Sequence, residues 1–278
     1  MLKPLRRGRF MKMLTGLCAP GFWVGTLLVL SASLLTSSFA LVPVKPIIAA
    51  VSKFSLHAKA LPDDEIARLA RIAGEAKGTK TVGKILGAQN LPNDVLEDAY
   101  VRIAVQQNRL SREEAEGMFE RLRGTQGFRR TLAKVIGNGD AMTTGHLNEL
   151  RIADNAAQHG FRVQGIGVLF SDGVKGAPTD IDVVLEKAGK VIAMEAKDYS
   201  PTTPIPLEEF RADMVSLSEY ALRQAPRRVI SVFSLTIKPS SATTLRILEK
   251  EADRHGIQLL FGTPEQLVEQ VKQLHAIL

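Results

Sequence analysis

Between Phe161 and Tyr199 apolar residues fall into three successive short runs of strand character, whereas before and after them they recur at helical spacing. This change of period constrains the fold more than any other feature of the chain. The pattern predicts a helix from Thr144 to His159 and strands at Phe161 to Phe170, Thr179 to Glu186 and Val191 to Tyr199. The second and third strands are joined by the turn Lys187-Ala-Gly-Lys190. A helix from Leu207 to Gln224, a strand from Arg228 to Leu235, a helix from Ser241 to His255 and a strand from Ile257 to Phe261 follow. A capping threonine and a proline at the first helical position, in Thr263-Pro-Glu-Gln, then start a last helix. Adjacent strands joined by short turns pair antiparallel, and strands separated by a helix pair parallel. The order αβββαβαβα therefore predicts an α/β fold with a mixed sheet and helices on both faces.

Upstream, from Asp63 to about Ile136, the pattern is entirely helical. Ile66, Leu69, Ile72 and Ala73 recur at helical spacing, as do Val95, Tyr100, Ile103 and Ala104. Ser111-Arg-Glu-Glu opens a further helix with a capping serine, and Gly124 and Gly127 bracket its end. Four or five short helices are expected here, with Gly137-Asn-Gly-Asp as a linker and Arg121, Arg123, Arg129, Arg130 and Lys134 as a solvated face. Before them lies a leader. Residues 1–60 hold eight lysines and arginines and no acid, with no charge from Met13 to Val44. This is the shape of a signal peptide or a membrane anchor, and the two remain open. The expected organisation is a leader at 1–60, a helical region at 61–140 and an α/β domain at 141–278.

The net charge of +7 belongs to that leader, since the rest of the chain carries 28 basic against 29 acidic residues. Nucleic-acid binding must therefore come from a local site rather than from global charge. The one cysteine, Cys18, also lies in the leader, which excludes disulfides, thiolate metal sites and a cysteine nucleophile from the body. There is no phosphate-cradling Gly-x-x-x-x-Gly-Lys, no Gly-x-Ser-x-Gly and no His-Glu-x-x-His. The five histidines lack ligand spacing, and Arg227, Arg228 and Lys238 are expected as solvated charge.

The chemistry concentrates on the hairpin. In Thr179-Asp-Ile-Asp-Val-Val-Leu, period two places Ile181, Val183 and Leu185 on one face and Asp180 and Asp182 on the other. In Val191-Ile-Ala-Met-Glu-Ala-Lys, Glu195 and Lys197 share a face, and the turn at Gly189 sets Asp182 against Glu195. Two carboxylates beside a lysine suit a hard divalent cation such as Mg²⁺ or Mn²⁺, which polarises a phosphate and activates water. On a helical wheel Glu149 falls within the apolar arc of Leu150, Ile152, Ala153, Ala156 and Ala157, opposite Arg151, Asp154, Asn155 and Gln158. An inward carboxylate requires a compensating partner, for which a metal or the lysine would serve. His146, at the edge of that arc, is expected as a partly buried helix-start residue.

With Glu149 in the first helix, Asp182 in the second strand and Glu195-Ala-Lys197 in the third, the chain resembles the PD-(D/E)XK nuclease superfamily, the restriction-endonuclease-like fold. The resemblance spans Thr143 to Leu235. Gly145-His-Leu-Asn-Glu149, Gly160-Phe161, Asp182-Val-Val and Glu195-Ala-Lys197-Asp-Tyr199 are similar to Mrr-like restriction enzymes and to tRNA-cleaving toxin domains of contact-dependent inhibition systems. It implies a Mg²⁺- or Mn²⁺-dependent endonuclease with Asp182 and Glu195 as metal ligands, Lys197 as the catalytic lysine and Glu149 as auxiliary ligand. Asp180 departs from the pattern, since many members carry proline before a single Asp. Either acid then suits the ligand position, the 13-residue step to Glu195 favouring Asp182. Two functions follow. One is an exported or membrane-tethered nuclease cutting tRNA, other RNA or DNA, an antibacterial toxin with a neutralising immunity protein. The other is a catalytically inactive nuclease-fold interaction protein of the cell envelope.

Overall fold

The computed structural model describes residues 93–171, 178–199 and 204–277, together with positions 64 and 68. The leader at 1–60 and the helical pattern from Ile66 to Ala73 lie outside the described residues. Among the described residues no helix is long and apolar enough to cross a membrane.

Four helices come first: α1 (Asn93–Gln106), α2 (Arg112–Leu122), α3 (Phe128–Gly137) and α4 (Asp140–Gln158). The strands and helices β1 (Arg162–Phe170), β2 (Thr179–Lys187), β3 (Lys190–Lys197), α5 (Leu207–Arg223), β4 (Val229–Leu235), α6 (Ala242–His255), β5 (Gln258–Phe261) and α7 (Pro264–Ile277) follow. The element order is the expected one, with ends displaced by a residue or two. The exception is the first long helix, α4, which begins four residues before Thr144.

Local chemistry accounts for the ends. Ser111 and Glu114 form the reciprocal cap of α2, the serine hydroxyl accepting from the Glu114 N–H at 3.1 Å and the glutamate from the Ser111 N–H at 3.3 Å. Ala188 and Gly189 both adopt positive φ, 48° and 78°, giving the two-residue turn whose twist suits antiparallel strands. The expected linker after Gly137 is a tight junction of two residues. The Thr143 hydroxyl holds it by donating to the carbonyls of Val135 and Asn138.

The sheet runs β1-β2-β3-β4-β5, the first three strands antiparallel and the last three parallel. One face is covered by α1 to α4 and α7, whose Leu132, Leu150, Ala153 and Leu267 pack on Val183, Leu185, Ile192 and Met194. The other is covered by α5 and α6, whose Phe210, Met214, Leu217 and Leu248 pack on Val184, Ala193 and Phe233. Helices thus lie on both faces, as expected, and the described early helices share a continuous core with the sheet.

The α2–α3 loop docks on β1. Ile166 donates its N–H to the carbonyl of Gln126 at 2.9 Å, and Gln126 pairs with Gly165. At Gly127, φ is +84° and a Cβ would lie 1.8 Å from the Ile166 carbonyl oxygen. Gly127→Ala is therefore expected to destabilise the protein by at least about 2 kcal/mol, combining a left-handed penalty with a backbone clash. A shift of the urea midpoint would measure it, and an unmoved midpoint would mean the loop does not dock this way.

Two expectations about faces are corrected. Ile181 does not share a face with Val183 and Leu185 but packs in the α5–α6 layer with Val184. In β1 the same change occurs between Ile166 and Val168. The pairs Ile166 with Val183 and Val168 with Ile181 leave Gly167 opposite Asp182, and Gly167 has φ +56°. A left-handed residue reverses the alternation of side chains in β1, and the apolar side chains of β2 change face at the same rung. Asp154, assigned to the polar side of α4, is buried because Arg121 grips it with two bonds of 2.7 and 2.9 Å. Arg121, though exposed as expected, is accordingly also a tie between α2 and α4.

Candidate active site

The rung that follows Val183 and Met194 in the β2–β3 register brings Asp182 and Glu195 together. Both are buried, and Asp182 accepts a hydrogen bond from the Ala196 N–H at 2.8 Å. Lys197, two residues on from Glu195, places its Nζ 2.5 Å from Glu195 Oε1 and 3.3 Å from Asp213 Oδ2 of α5. The end of β3 is fixed against β4, Ser234 bonding the Glu195 carbonyl at 3.1 Å and Thr236 N–H the Lys197 carbonyl at 3.1 Å. The cluster therefore sits at the carboxyl end of parallel strands, where open α/β sheets bind ligands.

Glu149 is buried on α4, as its place on the wheel required. Its hydrogen-bond partner is His146, whose Nδ1 lies 2.7 Å from Glu149 Oε1. Its charge still reaches Asp182. The Asp180 side chain is more than a third exposed and 3.7 Å from Lys134 of α3, and its charge still reaches Glu195. Asp182, Glu195 and Lys197 are thus brought together, Glu149 borders them, and Asp180 lies at the rim. Arg227 is engaged with Glu186, and Lys238 lies over the Phe261 ring.

Sequence reasoning missed Asp213. It sits in the arc of Phe210, Met214 and Leu217, the buried face of α5, so an acid at that position was a signal of the same kind as Glu149. His146, expected as a partly buried helix-start residue, is partly buried and bonded to Glu149 one turn along α4.

The electrostatics describe a surplus of buried negative charge. Burial raises Asp182 well above the usual carboxylate range, Glu195 and Glu149 push it further, and Lys197 and the Ala196 N–H only partly offset this. Burial likewise lifts Glu195 to about 7 against the opposing pull of Lys197. Burial works against the charge on Lys197, but Glu195, Asp182 and Asp213 outweigh it and raise its pKa, so the ammonium form is strongly held.

Two buried carboxylates in excess of their cation fit a hard divalent ion. Mg²⁺ commonly takes one or two protein carboxylates and completes its shell with water and substrate phosphate. Among the described residues no three His, Cys, Asp or Glu side chains are gathered as a ready-made metal cage. The fit therefore rests on Asp182 and Glu195, with Glu149 acting on Asp182 through its charge.

No family model matches the sequence, and no curated protein does. Among solved structures, Can2 from Sulfobacillus thermosulfidooxidans in complex with cyclic tetra-adenylate is similar at 16% identity and a TM-score of 0.34. The match covers 82% of this chain, which spans 60% of that one. A likeness at that level carries no argument about this chain, whose site is read from its own side chains.

Proposed function

We propose that the chain is a metal-dependent phosphodiesterase of the restriction-endonuclease-like, PD-(D/E)XK type, cutting RNA or DNA. The supporting observation is the buried opposition of Asp182 and Glu195 at one rung, with Lys197 drawn against Glu195 at 2.5 Å. In this reading Asp182 and Glu195 hold Mg²⁺ or Mn²⁺, and Glu149, oriented by His146, is auxiliary. Such an ion, when bound, supplies Lewis-acid polarisation of a phosphate oxygen and a more acidic water. Asp182 is preferred over Asp180 because it is buried beside Glu195, whereas Asp180 faces Lys134.

The chain's own contribution is positioning and charge. The Ala196 N–H fixes Asp182, and Glu195 and Asp213 hold the Lys197 ammonium in place. Because its proton is strongly held, Lys197 acts as a cation that orients water and offsets charge growing on the phosphate, rather than as a base. The layers on both sides of the sheet keep water from the buried parts of the carboxylates, which strengthens these interactions.

The reading extends to an exported or membrane-tethered nuclease through the leader, an antibacterial toxin held in check by an immunity protein. The test is the purified protein incubated with plasmid, genomic DNA and total tRNA in Mg²⁺, Mn²⁺ or EDTA. Cleavage that EDTA abolishes is the expected result. Intact substrates in every metal would overturn the reading in favour of a non-catalytic interaction protein. Glu149→Gln is expected to weaken Mn²⁺ binding about tenfold in calorimetry, as changes around metal ligands commonly do. Unchanged affinity would reduce the His146–Glu149 pair to a feature of the helix.

A further inference from the structure

A cleft of about 370 Å³ opens at the start of α3, lined by Asn93, Glu97, Gly127, Arg129, Arg130 and Leu169 among others. Its one acid, Glu97, is 1% exposed and already accepts from Asn93 and from the Gly124 N–H, each at 2.8 Å. Glu97 also interacts with Arg129 through charge, so the cleft sets the two guanidinium groups of Arg129 and Arg130 against a single carboxyl group. Both lie in the first turn of α3, which contains no acid and whose N-cap, Gly127, supplies no capping side chain. Two cations at the positive end of a helix favour a further anion beside them, since Glu97 answers only Arg129. Polar groups next to the cleft also lack partners. Arg130 Nε and Thr131 Oγ1 are buried without a hydrogen bond, and Thr131 is fully buried.

The cleft adjoins the acid cluster. A Cβ on Gly167 would lie 3.2 Å from the Arg130 guanidinium and 3.5 Å from the Asp180 carboxylate, so both border the glycine opposite Asp182. Lys134 lies one turn beyond Arg130 on the same stripe of α3 and 3.7 Å from Asp180. The stripe thus runs from the cleft to the rim of the candidate active site. Leu169, 54% exposed, pairs with Asp180 across β1 and β2 and offers the cleft an apolar wall.

We propose that this cleft binds a backbone phosphate of the strand being cut, a nucleotide or more from the scissile bond, with Arg129 and Arg130 as positioning residues. The proposal rests on the phosphodiesterase reading for the identity of its ligand. Guanidinium groups match phosphate oxygens with paired N–H donors, and such contacts fix register without reading sequence. Leu169 provides a surface for a neighbouring sugar or base. The ligand chemistry is the phosphodiester, which RNA and DNA share.

Fluorescence anisotropy with labelled single-stranded RNA, single-stranded DNA and duplex DNA in EDTA tests this over a salt series, and the oligonucleotide bound most tightly identifies the source. The double variant Arg129→Ala/Arg130→Ala is expected to bind about 30-fold more weakly, with the salt slope reduced by about 0.7 on a single strand, as one lost phosphate contact requires. The double replacement by lysine should recover most of the affinity while thermal melting stays unchanged. With Mg²⁺, the alanine variant should raise KM and leave kcat near wild type. Binding and slope equal to wild type, in a protein that cuts, would overturn the clamp and leave the phosphodiesterase reading intact. The expected loss of binding, in a protein that cuts nothing, would uphold the clamp and overturn that reading. Wild-type protein that neither binds nor cuts would overturn both.

Discussion

Glu195→Gln and Lys197→Met are each expected to lower metal-supported cleavage by about 10³-fold or more, the scale of losing a group that stabilises transition-state charge. The two differ in how they fail. Glu195→Gln removes a ligand and should lose Mn²⁺ affinity together with rate. Lys197→Met removes the ammonium 2.5 Å from Glu195 and should lose rate while Mn²⁺ still binds. Initial rates at saturating metal, paired with calorimetry, separate these outcomes. Wild-type rates in both variants and in Asp182→Asn would show that the cluster is not the catalytic centre.

Metal-free stability is expected to fall as pH rises from 4.5 to 8, and to be restored at the upper end by Mg²⁺. Glu195 has its folded pKa lifted from 4.5 to about 7, chiefly by burial. A group whose folded pKa is raised contributes stability that is fully present below its unfolded pKa and is lost as pH rises through the folded one. A displacement of that size corresponds to about 3 kcal/mol, and Asp182 shifts in the same direction. Lys197, raised from a value of 10.5, keeps its charge throughout this window and adds no slope. Urea denaturation in EDTA at pH 5 and pH 8 measures the difference, and Glu195→Gln should remove part of it, Asp182 supplying the rest. Equal stability of the wild type at the two pH values would show that Glu195 is solvated.

The parts of this protein that were legible in its sequence depend on local periodicity. The Lys187 to Lys190 turn has two central residues, so counting back along both strands puts Asp182 opposite Glu195 without any tertiary information. Glu149 is legible for a similar reason, because a helix with Leu150, Ala153 and Ala156 facing the core carries it inward. The rest depends on pieces distant in the chain. Nothing near Lys197 announces Asp213, which arrives on α5 after a connection across the sheet. Arg121 meets Asp154 through the packing of α2 on α4, which no wheel drawn on α4 alone can show. The change of face at Asp182 escaped because alternation assumes a uniform strand, whereas the rung is shared with the left-handed Gly167 of the neighbouring strand. Arg130 looked like surface charge because its surroundings are made by the turn to α3 and by β1.

The docking of the α2–α3 loop on β1 bears on solubility. A strand at the margin of a sheet presents unpaired backbone groups that will recruit a foreign strand, and proteins suffer aggregation where such a margin is left bare. Here Gln126 occupies part of the margin, its carbonyl taking the Ile166 N–H and its backbone pairing with Gly165. The early helices therefore act as an internal guard against intermolecular strand addition. A fragment cut at residue 140 to isolate the sheet would bare both that edge and the apolar side of α4, and would be driven toward self-association.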